Sequence, residues 1–599
     1  MCGISGIYNC FGREIDSQKI IKKIVQLQHR RGPDGNGIWE SKCKKVIFGH
    51  NRLSIIDLST KANQPLVSRD KNYVITFNGE IYNFKEIKLE LENKKIKFNT
   101  NSDTEVIIEA YKYWGLNFLK KLRGMFAFAI WDSIKKKIIL ARDPLGIKPL
   151  YYTKKNGMFF FASQIKSILS VDNINKEISN SSIVSYYLWG NIQEPNTLYK
   201  NIKSIEKGTC LVLDNNGKEE LIIYADIKKL IIESEQLKIS NENEKLIYLK
   251  EIIEETSNYH HVSDVPTTLL LSSGVDSNLL LASMNQGNKT SCSALTLDFK
   301  FRDHRDEVKI AKESSELNHI KHLIRDISNE EFFSLVEKFY EDMDSPTNDG
   351  FNNYLISYQA KKINSKIIIS GIGGDELFLS YPSFKLVPKI LNICKFLPKS
   401  DFINYFIKKN IYPLFIKNNL KTKYLSIPEY GNDFGSAFFL IRSLFLPFEI
   451  NEIISPELLK SGLEELNFHE NFKKDIAEIE DERLSIMYLE IKYYLTSKLL
   501  KDSDWASMSH SIELRTPFVD WFFIKKLIPL IKLDKNFNKL KTVKCMDKKL
   551  PQGLQKRKKT GFNIPHDNFL KLLSYKKKYS NPIRDWSIIS YEKYLKNEK

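Results

Sequence analysis

Two hydrophobic rhythms divide this chain, and no single sheet or bundle accommodates both. Up to about residue 220, aromatic- and aliphatic-rich segments lie between turn signals, at 45–49, 73–77, 126–131, 138–141 and 158–162, the pattern of short strands. Two helices interrupt them: 17–28, with Ile20, Ile21, Ile24 and Leu27 at helical spacing, and 104–114, opened by Ser102 and Asp103 as capping residues. Beyond a polar stretch at 214–243, the candidate linker with a turn at Asn215, Asn216 and Gly217, the rhythm changes. A helix at 244–257 leads into the apolar run 267–271, a small-residue loop and a helix starting near Ser277. Strands at 293–297 and 366–369 follow with helices between them, and from Phe384 amphipathic helix dominates. The expectation is an α+β N-terminal domain of stacked antiparallel sheets with flanking helices, residues 1–220. An α/β doubly wound parallel-sheet domain with a helical C-terminal part, residues 221–599, is expected to follow. With 599 residues the chain exceeds what one hydrophobic core supports, which agrees with two domains.

The net charge of +18 raises the question of a nucleic-acid partner. The lysines, however, are scattered among Ile and Asn along the whole chain, and short runs such as 135–137 and 556–559 make no basic tail. Seven cysteines, odd in number and without a CxxC pair, read as cytosolic thiols. The start, MCGISGIYN, has no basic segment followed by an apolar one, and the longest apolar stretch, 436–448, is too short to span a bilayer. A cytoplasmic protein is expected, with small-molecule partners, no nucleic acid and no membrane; a homodimer is left open.

Cys2 becomes the first residue if Met1 is removed, which its small side chain permits. Its thiol would then lie beside an α-amino group, whose pKa of about 7.7–8.0 leaves a useful unprotonated fraction to take the thiol proton. A lone cysteine is usually a small buried hydrophobe. Here it opens a series of motifs: MCGISG at 1–6, HRRGPDG at 29–35, RLSIID at 52–57, FNGEIYN at 77–83, SDTE at 102–105 and ARDPLGIKPLYY at 141–152. In that order they resemble the class II glutamine amidotransferases, a family of the N-terminal-nucleophile type. The resemblance implies that Cys2 is the nucleophile and that Arg52 grips the glutamine carboxylate, a task suited to a bidentate guanidinium. It also implies that Asp103 holds the amino group and that Asn78 and the Gly79 backbone N–H form the oxyanion hole. Glu80 is expected as a further glutamine contact or a support. Read alone, Asn78-Gly79 is also a common hairpin turn.

The run TTLLLSSGVDS at 267–277 carries an apolar strand into a small-residue loop and a helix, where backbone N–H groups can meet phosphates. No GxxxxGKS is present, so this is not a P-loop. It resembles the loop, usually SGGxDS, of enzymes that cleave ATP between the α and β phosphates, with Ser273 where glycine is usual. A second run, IIISGIGGDELFLSY at 367–381, is similar to the SGxGxDELF motif of the asparagine synthetase family; SHSIELRTPFVDW at 509–521 and KKTGFNIP at 558–565 also match. The resemblance covers about residues 1–570 and is weakest between 384 and 490. It implies an ATP-pyrophosphatase-type domain that binds ATP through Leu271, Ser272, Ser273, Gly274, Asp276, Ser277, Ser370 and Gly371. Lys559 is placed on the departing pyrophosphate, and Asp276 and Asp375 on Mg2+. It further implies that ammonia released from glutamine travels through an internal tunnel, with residues near Arg30 and Met125 in its wall. The ammonia would meet a carboxylate activated as an acyl adenylate, aspartate first among the acceptors.

Besides Ser273, three positions depart from the family pattern. Ile372 stands where glutamate is typical, and an apolar side chain neither accepts a proton from ammonia nor pairs with an amino group. A different carboxylate, such as a sugar uronic acid of surface polysaccharide synthesis, is the alternative acceptor. Gln164 in FASQIK and Ser497 in YLTSKLLKDSDW are lesser departures.

Overall fold

The computed structural model describes residues 2–12, 15–299, 305–396, 406–412, 422–546, 549–554, 570–571, 573 and 575–597. Its first part holds two six-stranded antiparallel sheets. One runs in the order Ile202–Ser204, Tyr151–Lys155, Met158–Ala162, Gly3–Asn9, Val46–Arg52, Gly35–Glu40. The other runs Glu219–Ile223, Thr209–Leu213, Lys137–Arg142, Gly124–Asp132, Tyr73–Ile81, Leu66–Val67.

Strand alternation explains the layering. Side chains of Gly124–Asp132 point alternately to opposite faces. Ala127, Ala129 and Trp131 therefore join Ile4, Tyr8, Phe48 and Phe161 between the sheets. Phe126, Phe128 and Ile130 instead pack under Val106, Ile107 and Tyr111 of helix Asp103–Trp114. In the first sheet, Ile7 and Ile47 meet Ile21 and Ile24 of helix Ser17–Leu27 on the outer face. The result is helix, sheet, sheet, helix. Strands apolar on both faces lack a solvated side, which is why these segments read as nearly continuous hydrophobic runs.

The polar stretch expected to be a linker is in part structured. Thr209–Leu213 turns at Asn215-Asn216-Gly217 and returns as Glu219–Ile223, the edge strand of the second sheet; helix Ile227–Glu233 then buries Ile227 and Ile231. Polar side chains suit an exposed edge strand, so composition alone concealed it.

The second part is built on a five-stranded parallel sheet, ordered Lys321–Ile327, Cys292–Phe299, Thr267–Leu270, Ile367–Ile369, Glu513–Arg515. The chain winds outward from Thr267–Leu270 in one direction and then restarts beside it with Ile367–Ile369. The crevice at this reversal is where doubly wound sheets place ligands. Helices account for most of the described residues beyond 383, among them Ser383–Cys394, Phe434–Arg442 and Trp521–Leu533. No helix among the described residues is long and apolar enough to cross a membrane.

Buried arginine–acid pairs join the antiparallel sheets to the second part. Arg31 donates to Asp504 at 2.8 Å, Arg123 to Asp520 at 2.8 Å, and Arg515 to Glu80 at 3.1 Å. All six groups are withdrawn from water, so each guanidinium depends on its hydrogen-bonding partners.

Candidate functional site

Cys2 enters the central strand of the first sheet, and the second sheet brings Asn78, Gly79 and Glu80 opposite it. The Cys2 backbone N–H donates to Asn78 Oδ1 at 2.9 Å, whereas Asn78 Nδ2 is buried and has no partner among the described residues. Asn78 and Gly79 lie within strand Tyr73–Ile81, so the hairpin-turn reading is overturned. A Cβ on Gly79 would fall 2.2 Å from the Met125 carbonyl oxygen, which accounts for the glycine by close approach of the next strand.

Arg52 closes strand Val46–Arg52. Its guanidinium donates to the Ser59 carbonyl at 2.9 Å, to Asn63 Oδ1 at 2.8 Å and to the Asp57 carbonyl. Neutral oxygens orient it, and among the described residues no carboxylate pairs with it. Asp103 begins helix Asp103–Trp114, and its Oδ2 accepts from the Ile81 N–H at 3.1 Å. Cys2, Arg52, Gly79, Glu80 and Asp103 share one small pocket with Gln64 and Ser102. The pocket thus offers a cation and an acid around a thiol, with the unpartnered Asn78 Nδ2 next to Cys2.

Burial pushes the Cys2 thiol up, against the opposing charge of the N-terminal ammonium, the Leu53 backbone hydrogen bond and the Arg52 charge, so the resting sulfur holds its proton. Asp103 is raised to about 6 by burial and by Glu513, against the hydrogen bonds that hold it down. An ammonium can be held only by its ionised form. The apparent KM for glutamine is therefore expected to rise as pH falls through about 6, and an Asp103→Asn variant to lose that limb of the profile; KM measured from pH 5 to 8 checks both.

One wall of the pocket is Glu513, which comes from the edge strand of the parallel sheet. Glu513 and Arg515 are two residues apart on a strand and so share a face. Arg515 Nε donates to Glu513 at 2.6 Å while its Nη2 reaches Glu80. Burial alone would raise both acids. The charges of the N-terminal ammonium, then Arg515 and Lys148, pull Glu513 down to about 2, whereas burial and Asp103 drive Glu80 well above the usual carboxylate range. Glu513 carries the charge and Glu80 the proton. The sequence motif SHSIELRTPFVDW marked this segment but not its place behind Cys2.

Arg31 was also missed. Its Nε donates to the Cys2 carbonyl at 3.1 Å while its Nη1 holds Asp504. Arg30, expected near a tunnel, is a surface residue with 65% of its side chain exposed and is paired with Asp342. Met125 is buried.

The second site lies at the reversal of the parallel sheet. Leu271, Ser272, Ser273 and Gly274 connect strand Thr267–Leu270 to helix Val275–Ser283, which carries Asp276 and Ser277 in its first turn. The loop is tied by the Gly274 N–H donating to Ser272 Oγ and the Ser272 N–H donating to Ser277 Oγ, both at 3.1 Å. Ser370 and Gly371 leave the neighbouring strand, and helix Gly374–Leu377 carries Asp375. A Cβ on Gly371 would lie 2.7 Å from Asp276 Cβ, and one on Gly374 2.3 Å from Asp276 Oδ1, so glycine at both positions lets the loops touch.

Asp276 and Asp375 converge. Lys539 Nζ, from helix Lys539–Cys545, donates to Asp276 Oδ2 and Asp375 Oδ1 at 2.6 Å each. Two hard carboxylates aimed at one cationic point fit a magnesium ion whose remaining ligands come from phosphate and water. Lys539 carries no motif, and one lysine among many gave no sequence signal. Lys559 and the KKTGFNIP segment lie outside the described residues. Ile372 is partly buried among apolar side chains of both large cores. Gln164 stands at the N-cap position of helix Ile165–Leu169 without a side-chain capping bond, and the buried Ser497 accepts from Asn191 Nδ2 through its carbonyl.

Comparison with known proteins agrees with this division. Residues 1–224 match the model of a glutamine amidotransferase domain, and residues 248–587 that of asparagine synthase. The chain is 30% identical over 594 residues to asparagine synthetase [glutamine-hydrolyzing] 1 of Bacillus subtilis, covering 95% of this chain and 88% of that one. It is 34% identical over 409 residues to putative asparagine synthetase [glutamine-hydrolyzing] 2 of Methanocaldococcus jannaschii, covering 64% of this chain and 76% of that one. A third relative, the amidase chry2 of Gibberella zeae, is 30% identical over 413 residues, covering 64% and 60%. The asparagine synthase model alone spans more than half of the residues, and the chain therefore belongs to the asparagine synthase family, as a glutamine-dependent amidotransferase with its own N-terminal amidotransferase domain.

Proposed function

We propose that the chain releases ammonia from glutamine at Cys2 and transfers it to a carboxylate that ATP has activated. The supporting observation is the convergence of Cys2, Arg52, Gly79 and Asp103 on one pocket, with Asn78 bonded to the Cys2 N–H beside it, whose back wall, Glu513, belongs to the sheet that carries the ATP loops. Arg52 takes the glutamine carboxylate and Asp103 its ammonium, which sets the side-chain amide against Cys2. With Met1 removed, the Cys2 amino group accepts the thiol proton. Sulfur attacks the amide carbon, and the oxyanion is held by Asn78 Nδ2 and the Gly79 N–H. The Cys2 ammonium returns its proton to the amide nitrogen as the C–N bond breaks, ammonia leaves, and water later cleaves the thioester to glutamate and the free thiol. Glu80 is a support, kept in place by Arg515.

In the second site Leu271, Ser272, Ser273, Gly274, Ser277, Ser370 and Gly371 surround the nucleotide, and Lys559 receives pyrophosphate. Asp276 and Asp375 would hold Mg2+, which when bound supplies charge neutralisation at the phosphates. The acceptor carboxylate attacks the α-phosphorus, pyrophosphate departs, and ammonia then displaces AMP from the acyl adenylate to form an amide. Residues 1–220 are assigned to the first reaction and 221–599 to the second, in a cytoplasmic protein. Aspartate is the first acceptor proposed, since relatives at about 30% identity carry the name asparagine synthetase. Ile372 favours a second reading, in which the acceptor is another carboxylate such as a uronic acid.

Pyrophosphate release with MgATP and glutamine, with and without aspartate, and identification of the product test the proposal. Aspartate-dependent pyrophosphate with asparagine formed supports the first reading. Glutamine hydrolysis without that dependence turns the search to the second.

A further inference from the structure

Side chains from outside the 271–274 loop hold its carbonyl oxygens. Leu271 has both backbone groups engaged by the neighbouring strand Cys292–Phe299: its N–H donates to the Leu295 carbonyl at 2.9 Å, and its own carbonyl accepts from Thr296 Oγ1 at 2.7 Å. The Ser272 and Gly274 carbonyls accept from Asn278 Nδ2 at 2.9 and 2.7 Å. A loop that binds phosphate gathers N–H groups and needs its carbonyl oxygens held elsewhere, because an oxygen turned to the anion repels it.

Thr296 is itself held from the edge of the sheet. Its Oγ1 lies 2.8 Å from Nε2 of His322, on the edge strand Lys321–Ile327. His322 Nδ1 lies 3.1 Å from Oγ of Ser315, on helix Arg305–Leu317. The hydrogens fix the direction of this chain. A threonine hydroxyl has one hydrogen, and Thr296 gives it to Leu271, so its oxygen accepts from His322 and Nε2 carries the hydrogen. Burial holds the ring below the usual imidazole range, against the Glu316 charge and together with that of Lys312, so the ring rests neutral and Nδ1 is an acceptor. The Ser315 hydroxyl, 2.7 Å from the Lys312 carbonyl, turns to Nδ1 of a neutral ring and back to that carbonyl when the ring is protonated. In either state the Nε2 hydrogen stays on Thr296.

We propose that His322 and Thr296 are positioning residues for the nucleotide: the imidazole, acting through the Thr296 hydroxyl, fixes the Leu271 carbonyl and so the course of the loop that takes the ATP phosphates. They act through the loop and not on the reacting atoms. The assignment rests on the nucleotide reading above and adds a relay across three adjacent strands, from the sheet edge to the ATP loop.

The probe is the magnesium complex of α,β-methylene ATP, which cannot lose pyrophosphate, titrated calorimetrically into the full chain. Glutamine and asparagine divide the imidazole between them: at position 322 the first puts an amide N–H near the place of Nε2, the second near that of Nδ1. Thr296→Val and His322→Asn are each expected to weaken the probe about 10-fold, the scale of one lost hydrogen bond, and Thr296→Ser and His322→Gln to return it to within about 3-fold of wild type. The double variant of Thr296→Val and His322→Asn is expected to bind no more weakly than Thr296→Val alone, since both cut one relay. A thermal melt of each variant checks that it folds. Loss of packing alone would weaken His322→Gln and His322→Asn alike, so equal affinities in those two overturn the relay, as does binding unchanged in Thr296→Val. Either of these results leaves the nucleotide reading standing. A wild type that does not bind the probe overturns the nucleotide reading itself, and the relay with it.

Discussion

Replacing Cys2 with alanine is expected to lower glutamine hydrolysis on the order of 10⁶-fold, the scale on which loss of a nucleophile acts. The pocket that contains Arg52 and Asp103 remains in this variant, so glutamine binding is retained and the loss falls on kcat. Acceptor-dependent pyrophosphate release with ammonium salt as the donor is expected to persist, because Asp276, Asp375 and Lys539 occupy the other crevice. Cys2→Ser, which keeps size and burial, distinguishes lost chemistry from lost packing. A hydrolysis rate preserved in Cys2→Ala would return Cys2 to the status of a buried structural thiol. Glutamate production, read beside a thermal melt, makes the comparison.

The second large effect is structural. Arg515→Met leaves Glu513 ionised and buried without its guanidinium, and removes the partner of Glu80. Breaking a buried pair from one side costs about 3–5 kcal/mol. The urea midpoint is expected to fall, and glutamine hydrolysis to fall with it, because Glu513 lines the Cys2 pocket from the far side. Adding Glu513→Gln to Arg515→Met removes the stranded charge and is expected to restore part of the midpoint. Equal midpoints in the single and double variants would show that Glu513 is not held ionised by Arg515.

Much of this was legible before any coordinates. The run 158–162 is the strand Met158–Ala162, and Ser102 announced helix Asp103–Trp114 because its hydroxyl caps the Thr104 N–H. Motif residues scattered from Cys2 to Asp103 meet in one pocket, as the amidotransferase resemblance requires. What could not be read depends on tertiary placement. Glu219–Ile223 has the composition of a linker because an edge strand tolerates exposed acids. Arg30 and Arg31 are adjacent and chemically alike, and only the fold decides that the second is buried on the Cys2 carbonyl. Glu513 and Arg515 stood in a recognised motif, yet their reach into the other half of the molecule depends on how two sheets meet. Lys539 is a single lysine in a lysine-rich chain, and its proximity to two aspartates is not written in local sequence.

Lys539 also bears on how this protein waits for its nucleotide. Two aspartates facing each other without a cation repel, and one of them is driven to take up a proton. A built-in ammonium between Asp276 and Asp375 relieves that conflict in advance, so the crevice carries its own counter-ion and needs no divalent metal to stay assembled. Stripping the solution with a chelator is therefore expected to abolish pyrophosphate release while leaving the melting temperature of the nucleotide-free protein where it was. A melting temperature that drops with the chelator would mean that metal, and not lysine, holds the two loops together at rest.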